Sequence, residues 1–212
     1  MKLLFENWRK FIKEQETPSN DFCTNYPNAC KNVYGTVRAN MPQIKKASDF
    51  EKSLGAAPGR GIETNEPEKI PDLGKATRAY LQSSDDRGEY PRGDQVQVNT
   101  ISDVDPFDLN PTQKDLYMDN ALDKVATAEN PGISWNPWNA SILVSEDNYI
   151  LDGHHRWAAT IIYNKKHPDD ARTMTIEKVQ LPIGPLLKIS NAYCDAGGQA
   201  TCEPRQSGGA AT

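Results

Sequence analysis

One segment of the sequence constrains the fold of this chain most. It consists of two short apolar runs joined by a polar turn, and a helical pattern follows at once. The runs are Ile142 to Val144 and Tyr149 to Leu151, and the four residues between them favour turns. This arrangement predicts a β-hairpin whose second strand leads through Asp152 and Gly153 into a helix. The segment therefore requires a fold in which a sheet and a helix are directly connected.

The sequence around the hairpin predicts further strands and helices. Alternating polar and apolar residues indicate a strand over 95–101, which Asp105 and Pro106 end. A helix over 111–125 and a closing strand over 174–181 complete the pattern. We predict an α+β fold over 93–190, a small mixed β-sheet with packed helices.

The flanking regions have less regular patterns. Residues 1–92 predict an N-terminal helix and an irregular extension. From Thr17 to about Arg92 the sequence is rich in Pro, Gly, Ser, Asn and charge, with short helices expected over 47–54 and 73–81. An amphipathic helix is expected near 4–14. Residues 191–212 predict a flexible tail. Met41 to Ile44 form a further pattern to which the sequence assigns no role.

The start of the predicted motif helix concentrates groups that bind anions. Asp152 can cap the helix, and Gly153, which lacks a Cβ atom, lets a ligand approach the backbone. The first turn of a helix offers unpaired N–H groups and a partial positive charge. His154, His155 and Arg156 follow, and they supply a possible proton carrier and a planar cation. The pattern predicts phosphate binding, with these residues as candidate catalytic groups.

Two other interpretations of this cluster remain open. A capped helix with exposed histidines, and an arginine paired to a nearby carboxylate, would have the same sequence. Metal binding is the second interpretation, although neighbouring histidines on a helix point about 100° apart and chelate one ion poorly. Asp152 is better placed as a ligand of a phosphate-bound Mg²⁺ ion.

The segment from Ile142 to Ala159 resembles the signature of the ParB/sulfiredoxin superfamily, also called the ParB-like nuclease fold. In ParB proteins the matching segment, Gly-Glu-Arg-Arg, binds a nucleoside triphosphate, and sulfiredoxins have Gly-Cys-His-Arg there. Asn110 to Gln113 also resemble the Asn-Pro-x-Gln of ParB. The resemblance covers about residues 93–188 and implies a nucleotide, such as ATP with Mg²⁺, as the ligand. It also implies supporting roles for Asp103, Asp105 and Gln113, unless these residues serve only in turns.

Departures from the family pattern narrow the expected activity. His154 stands where a sulfiredoxin has its nucleophilic cysteine, and His155-Arg156 replace the arginine pair of ParB. Sulfinic acid repair and centromere clamping are therefore not expected. Hydrolysis or transfer of a phosphoryl group remains, as in an ATPase, a nuclease or a kinase-like enzyme. Ile12 to Glu14 resemble the cleavage site of capsid-targeting phage propeptides, so the alternative is a non-catalytic phage accessory or virion-packaged binding protein.

The remaining motifs leave alternatives open. Trp135 and Trp138, in a Pro-rich loop, are expected to pack, with stacking on a base as the alternative. The four cysteines lie in two pairs, with spacings that do not fit a zinc site. Because the N-terminus lacks a long apolar run typical of a secretory signal, free thiols are expected, with two local disulfides as the alternative.

Charge and hydropathy limit the partners. The 24 basic and 29 acidic side chains give a formal charge of -5, and 93–190 are more acidic than basic. A broad surface for duplex DNA is not expected, so any contact with DNA would be local. No apolar run is long enough to span a bilayer. We expect a cytoplasmic protein, in host cytoplasm or in a virion if it is phage-encoded, without a membrane partner and with an undetermined oligomeric state.

Overall fold

The computed structural model describes residues 21–54, 96–130, 140–197, 199 and 202–203. In this part of the chain, a five-stranded mixed sheet packs against helices on both faces. The α+β prediction is confirmed at this level. The predicted helices at 4–14 and 73–81, together with Trp135 and Trp138, lie outside the described residues.

The helices and strands follow in chain order. The helices are α1 (Phe22–Asn25), α2 (Ala47–Leu54), α3 (Met118–Glu129), α4 (His154–Lys166) and α5 (Ile183–Gly197). The strands are β1 (Val98–Val104), β2 (Asn110–Pro111), β3 (Ile142–Ser145), β4 (Tyr149–Asp152) and β5 (Met174–Val179). Single 3-10 turns lie at Arg38–Asn40, Pro106–Asp108 and Pro168–Asp170.

The sheet order is β1-β5-β3-β4-β2. Strands β3 and β4 form the predicted antiparallel hairpin, while β3 runs parallel to β5 and β2 runs parallel to β4. Strand β1 pairs with β5 in the antiparallel direction at the edge. This order places the end of β4, where α4 begins, beside the short strand β2.

The two faces of the sheet contact two separate hydrophobic clusters. Successive side chains of a strand point to opposite faces, so Ile142 and Val144 pack with α3 and α4, while Leu143 packs with α5. The same division separates Ile150 from Leu151 on β4. The hairpin is therefore buried on both sides, which explains the apolar runs Ile142–Val144 and Ile150–Leu151.

The described part of the N-terminal extension packs into this core, and the domain boundary expected at residue 93 stays a prediction. Phe22 is fully buried in the cluster below α3 and α4, where it contacts Trp157 edge to face. Met41, Phe50 and Leu54 are buried with α5 in the other cluster. Burial of large apolar side chains at both clusters fixes the extension to the sheet.

Several predicted element bounds are corrected. The helix expected over 111–125 begins at Met118, because Pro111 pairs with Ile150 and the next two residues bond to a buried histidine. The strand expected over 95–101 spans 98–104, and the closing strand ends at Val179. The flexible tail expected from 191 is helical to Gly197, because Tyr193 and Cys194 pack into the second cluster. The helix at 47–54 is confirmed.

The expectation of free thiols is wrong. Cys23 pairs with Cys30, and Cys194 pairs with Cys202, with Cα–Cα distances of 5.5 and 5.3 Å. Both distances are in the range that a disulfide requires. Disulfides of this kind persist in oxidising environments, so the expected cytoplasmic location stays a prediction to be tested. In the described residues, no helix has the length and apolar character needed to cross a membrane.

Candidate functional site

A cleft of about 220 Å³ opens where β4 passes into α4. One wall is the segment from Leu151 to Arg156, which contains the predicted phosphate-binding residues. The opposite wall comes from the N-terminal extension, through Arg38 and the segment 41–43. Gln113 and Lys124 complete the lining. The cleft therefore joins the predicted motif to groups that are distant in sequence.

Gly153 makes the sharp connection between β4 and α4. Its backbone is left-handed, with φ 98° and ψ 16°, and its carbonyl accepts hydrogen bonds from the N–H groups of Arg156 and Trp157. A left-handed backbone favours glycine. A Cβ atom at this position would lie 2.7 Å from Ile142 Cβ, so the close packing of β3 also requires glycine.

The predicted cap by Asp152 is wrong. Gly153 is the N-cap residue of α4, and it makes no side-chain hydrogen bond to the first-turn amides. The Asp152 carboxylate instead accepts a hydrogen bond from Arg156, with 3.1 Å between Oδ2 and Nη2. The first-turn amides therefore have no side-chain cap from Gly153, and the Asp152 carboxylate pairs with Arg156.

His154 has a structural role that the sequence analysis did not foresee. Its side chain is buried, and its Nε2 accepts hydrogen bonds from the N–H groups of Thr112 and Gln113, at 3.1 and 3.2 Å. Burial, then the charges of His155 and Arg38, lower the pKa of His154 from 6.5 to about 3. In its neutral form the ring accepts two backbone N–H groups, and the catalytic role predicted for His154 stays a prediction.

Of the two histidines that line the cleft, His155 is the more exposed. Its ring is partly exposed, and Nε2 lies 3.5 Å from the side-chain nitrogen of Asn120. Burial, followed by the positive charges of Arg38 and Lys124, lowers the pKa of His155 from 6.5 to about 4. Two cations near a cleft histidine create a positive potential that favours an anion.

Arg156 is partly committed to the protein itself. It donates to the Ser141 carbonyl at 2.8 Å and to Asp152, and its side chain is 20% exposed. A guanidinium group carries five N–H donors, and these bonds to described residues use two of them. The ion pair orients the guanidinium at the cleft wall and reduces the charge that it offers to a ligand.

The supporting residues divide between the cleft and distant turns. Gln113 lies in the cleft lining, and its side-chain amide donates to the Asp115 carbonyl. Asp103 has a positive φ of 60° and accepts a hydrogen bond from the Thr173 hydroxyl. Asp105 caps the 3-10 turn at Pro106. Neither aspartate lines the cleft, so the alternative of turn chemistry describes both.

Arg38, Gln43 and Lys124 are cleft residues that the sequence analysis did not identify. Gln43 belongs to the segment 41–44 that stood out in the sequence without a role. Its backbone carbonyl accepts a hydrogen bond from the Glu203 N–H at 2.8 Å, and Ile44 forms a β-bridge with Cys202. Long-range contacts of this kind leave no local sequence signal. Lys124 is an ordinary helix residue in sequence.

The predicted role of Asp152 as a ligand of a phosphate-bound Mg²⁺ ion stays a prediction. In the described ranges, no group of three or more His, Cys, Asp or Glu side chains could hold a metal ion. The carboxylate of Asp152, the predicted Mg²⁺ ligand, is occupied by Arg156, and the cations Arg38 and Lys124 stand nearby. Positively charged side chains repel a metal cation, so we derive no chemical step from a Mg²⁺ ion bound by the protein.

Comparisons with protein-family models, curated proteins and solved structures found no match to this chain. The resemblance to the ParB/sulfiredoxin superfamily therefore stays a prediction. The geometry of the cleft is the basis for a functional assignment.

Proposed function

We propose that the protein binds a phosphate-bearing ligand, such as a nucleotide, in the cleft between Leu151–Arg156 and the 38–43 segment. The observation that carries this proposal is the convergence of Arg38, Lys124 and Arg156 on the first turn of α4. Cations and first-turn N–H groups together provide the charge and the donors that phosphate oxygens accept. The sequence resemblance to ParB proteins supports the same ligand class.

The wall formed by Leu151 to Arg156, which we call the motif wall, has a fixed geometry that favours binding. His154 ties the helix start to the amides of 112–113, and Asp152 holds the guanidinium of Arg156. A site whose donors are already positioned loses little entropy when a ligand arrives.

Phosphoryl hydrolysis or transfer is a second candidate function, and one observation favours it. The imidazole of His155 is neutral at pH 7, since its pKa is about 4, and it faces the cleft. A phosphate anion beside this ring stabilises its protonated form and raises its pKa towards the range useful for proton transfer. His155 would then accept the proton of an attacking water or hydroxyl group.

Calorimetric titration of the full chain with pyrophosphate, ATP and CTP tests binding. We expect saturable binding of all three, weakened roughly tenfold by Arg38→Gln or Lys124→Gln, because each loses a charge-assisted contact. Arg172→Gln and Lys165→Gln are matched controls, since neither residue lines the cleft. Absence of binding, or equal losses in the controls, would contradict the proposal.

Phosphate release separates the two candidate functions. A catalytic protein releases phosphate from ATP, CTP or DNA at a rate that His155→Gln abolishes, whereas a binding protein is only stabilised against heat by the ligand. Each titration and assay is run with and without Mg²⁺.

A further inference from the structure

A second, shallow cleft of about 270 Å³ adjoins the first one. It is lined by Asn120, Asp123, Lys124, Thr127 and His155. Two of these residues, Lys124 and His155, also line the first cleft. They form a shared ridge, so a ligand held in the first cleft can extend across it into the second.

The two clefts differ in the hydrogen bonds that they offer. The first contains cationic donors, as described above. In the second, the Asp123 carboxylate can only accept, and the Thr127 hydroxyl donates to the Asp123 backbone carbonyl at 2.7 Å, which leaves its oxygen as an acceptor. The Asn120 amide can donate and accept. These acceptors belong to one face of α3, since positions 120, 123 and 127 recur at helical spacing.

This arrangement is complementary to a phosphorylated polyol. Phosphate oxygens accept hydrogen bonds and carry negative charge, whereas sugar hydroxyl groups donate hydrogen bonds to carboxylate and hydroxyl oxygens. The second cleft is less favourable for a phosphate than the first, because the negative charge of Asp123 offsets the positive charge of Lys124 there. The pair of clefts thus favours one phosphate-bearing end and one hydroxyl-bearing end in the same ligand.

We propose that the second cleft binds the hydroxyl groups of a sugar whose phosphate lies in the first cleft. This inference rests on the proposed phosphate site and specifies its substrate class. The sugar could be the ribose of a nucleotide or a free sugar phosphate, since both present the same hydroxyl groups. The contacts with Asn120, Asp123 and Thr127 then select for the sugar, while Arg38 and Arg156 supply affinity for its phosphate.

The test is calorimetric titration of the oxidised full chain with pyrophosphate and with two matched pairs, ribose 5-phosphate and 2-deoxyribose 5-phosphate, and AMP and deoxy-AMP. We expect ribose 5-phosphate to bind roughly tenfold more tightly than its deoxy analogue. The Asp123→Asn and Asn120→Ala variants should each abolish that preference. Asp123→Asn should leave pyrophosphate affinity equal or higher, because it removes a repulsive charge. Asp119→Asn, on the same helix but outside both clefts, is the matched control.

The outcomes separate this inference from the proposed phosphate site. If AMP binds with a preference over deoxy-AMP and free ribose 5-phosphate does not bind, the source of the sugar is a nucleotide, and the inference holds. If pyrophosphate binds but the deoxy analogues bind as well as the ribose compounds, the sugar cleft is wrong and the phosphate site stands. Equal loss of pyrophosphate and ribose 5-phosphate affinity in Asp123→Asn overturns the inference too. If no phosphate compound binds, both proposals fail.

Discussion

The first turn of α4 and the 38–43 segment face each other across one cleft, but different contacts hold them. The motif wall is continuous in sequence, and the β3–β4 hairpin and the ring of His154 fix its backbone. The opposite wall, formed by the 38–43 segment and called the extension wall, is held in place by residues that are distant in sequence. Thr36 bonds with Thr112 and Lys114, and Gln43 bonds with Glu203 beside the Cys194–Cys202 disulfide. We infer that the motif wall sets the shape of the site and the extension wall completes its charge.

The largest expected difference in stability between the two walls comes from replacing one glycine near each wall by alanine. In Gly153→Ala, the new methyl group meets both a left-handed backbone and the Ile142 side chain, so unfolding free energy should fall by about 3–5 kcal/mol. Gly35→Ala has a similar φ of 92°, but nothing lies within 4 Å, so about 1 kcal/mol is expected. Chemical denaturation measures both. Equal losses would mean that the close contact with β3 contributes nothing.

Loss of the buried histidine is expected to have the next largest effect. His154→Leu leaves the N–H groups of Thr112 and Gln113 without their acceptor, which should cost about 3 kcal/mol of unfolding free energy. His167→Leu is the control, since that ring pairs with Glu129 at the surface. If His154→Leu lowers the unfolding free energy no more than His167→Leu does, the hydrogen bonds of His154 do not stabilise the motif wall.

The same histidine predicts a dependence of stability on pH. Its folded pKa of about 3 lies below the ordinary 6.5, so the folded state binds fewer protons than the unfolded state between these values. Unfolding free energy should therefore be fully present above pH 6.5 and fall as the pH decreases towards 3. Denaturation across this range should show a shallower fall in His154→Leu. An unchanged slope would contradict a neutral buried ring.

The two disulfides test the extension wall with a smaller effect on stability. Replacing either pair by serine should lower unfolding free energy by about 2–3 kcal/mol, since the closed loops are short and similar. Only the Cys194→Ser/Cys202→Ser protein should also bind pyrophosphate several-fold more weakly, because Cys202 bridges Ile44 next to Gln43. If calorimetry shows that both variants bind pyrophosphate equally well, the Cys194–Cys202 disulfide does not hold the extension wall in its binding position.

The two walls also differ in how far the sequence predicts them. The hairpin, the Gly153 turn and the motif helix follow from local patterns of apolar residues and turn residues, and the structure confirms these elements. The role of His154 did not follow, because its partners at 112–113 are about 40 residues away in sequence. Arg38 and Lys124 enter the cleft through tertiary packing alone, and neither carries a local pattern that distinguishes it from a surface cation.

The most direct test of the cationic cleft is the pKa of His155, followed by NMR in the free protein and with pyrophosphate. We predict a pKa of about 4 for His155 in the free protein, because burial and the positive charges of Arg38 and Lys124 oppose its protonation. Pyrophosphate should raise this pKa by about one unit or more, because a bound anion stabilises the imidazolium ion. A pKa near 6.5 that pyrophosphate leaves unchanged would contradict the account.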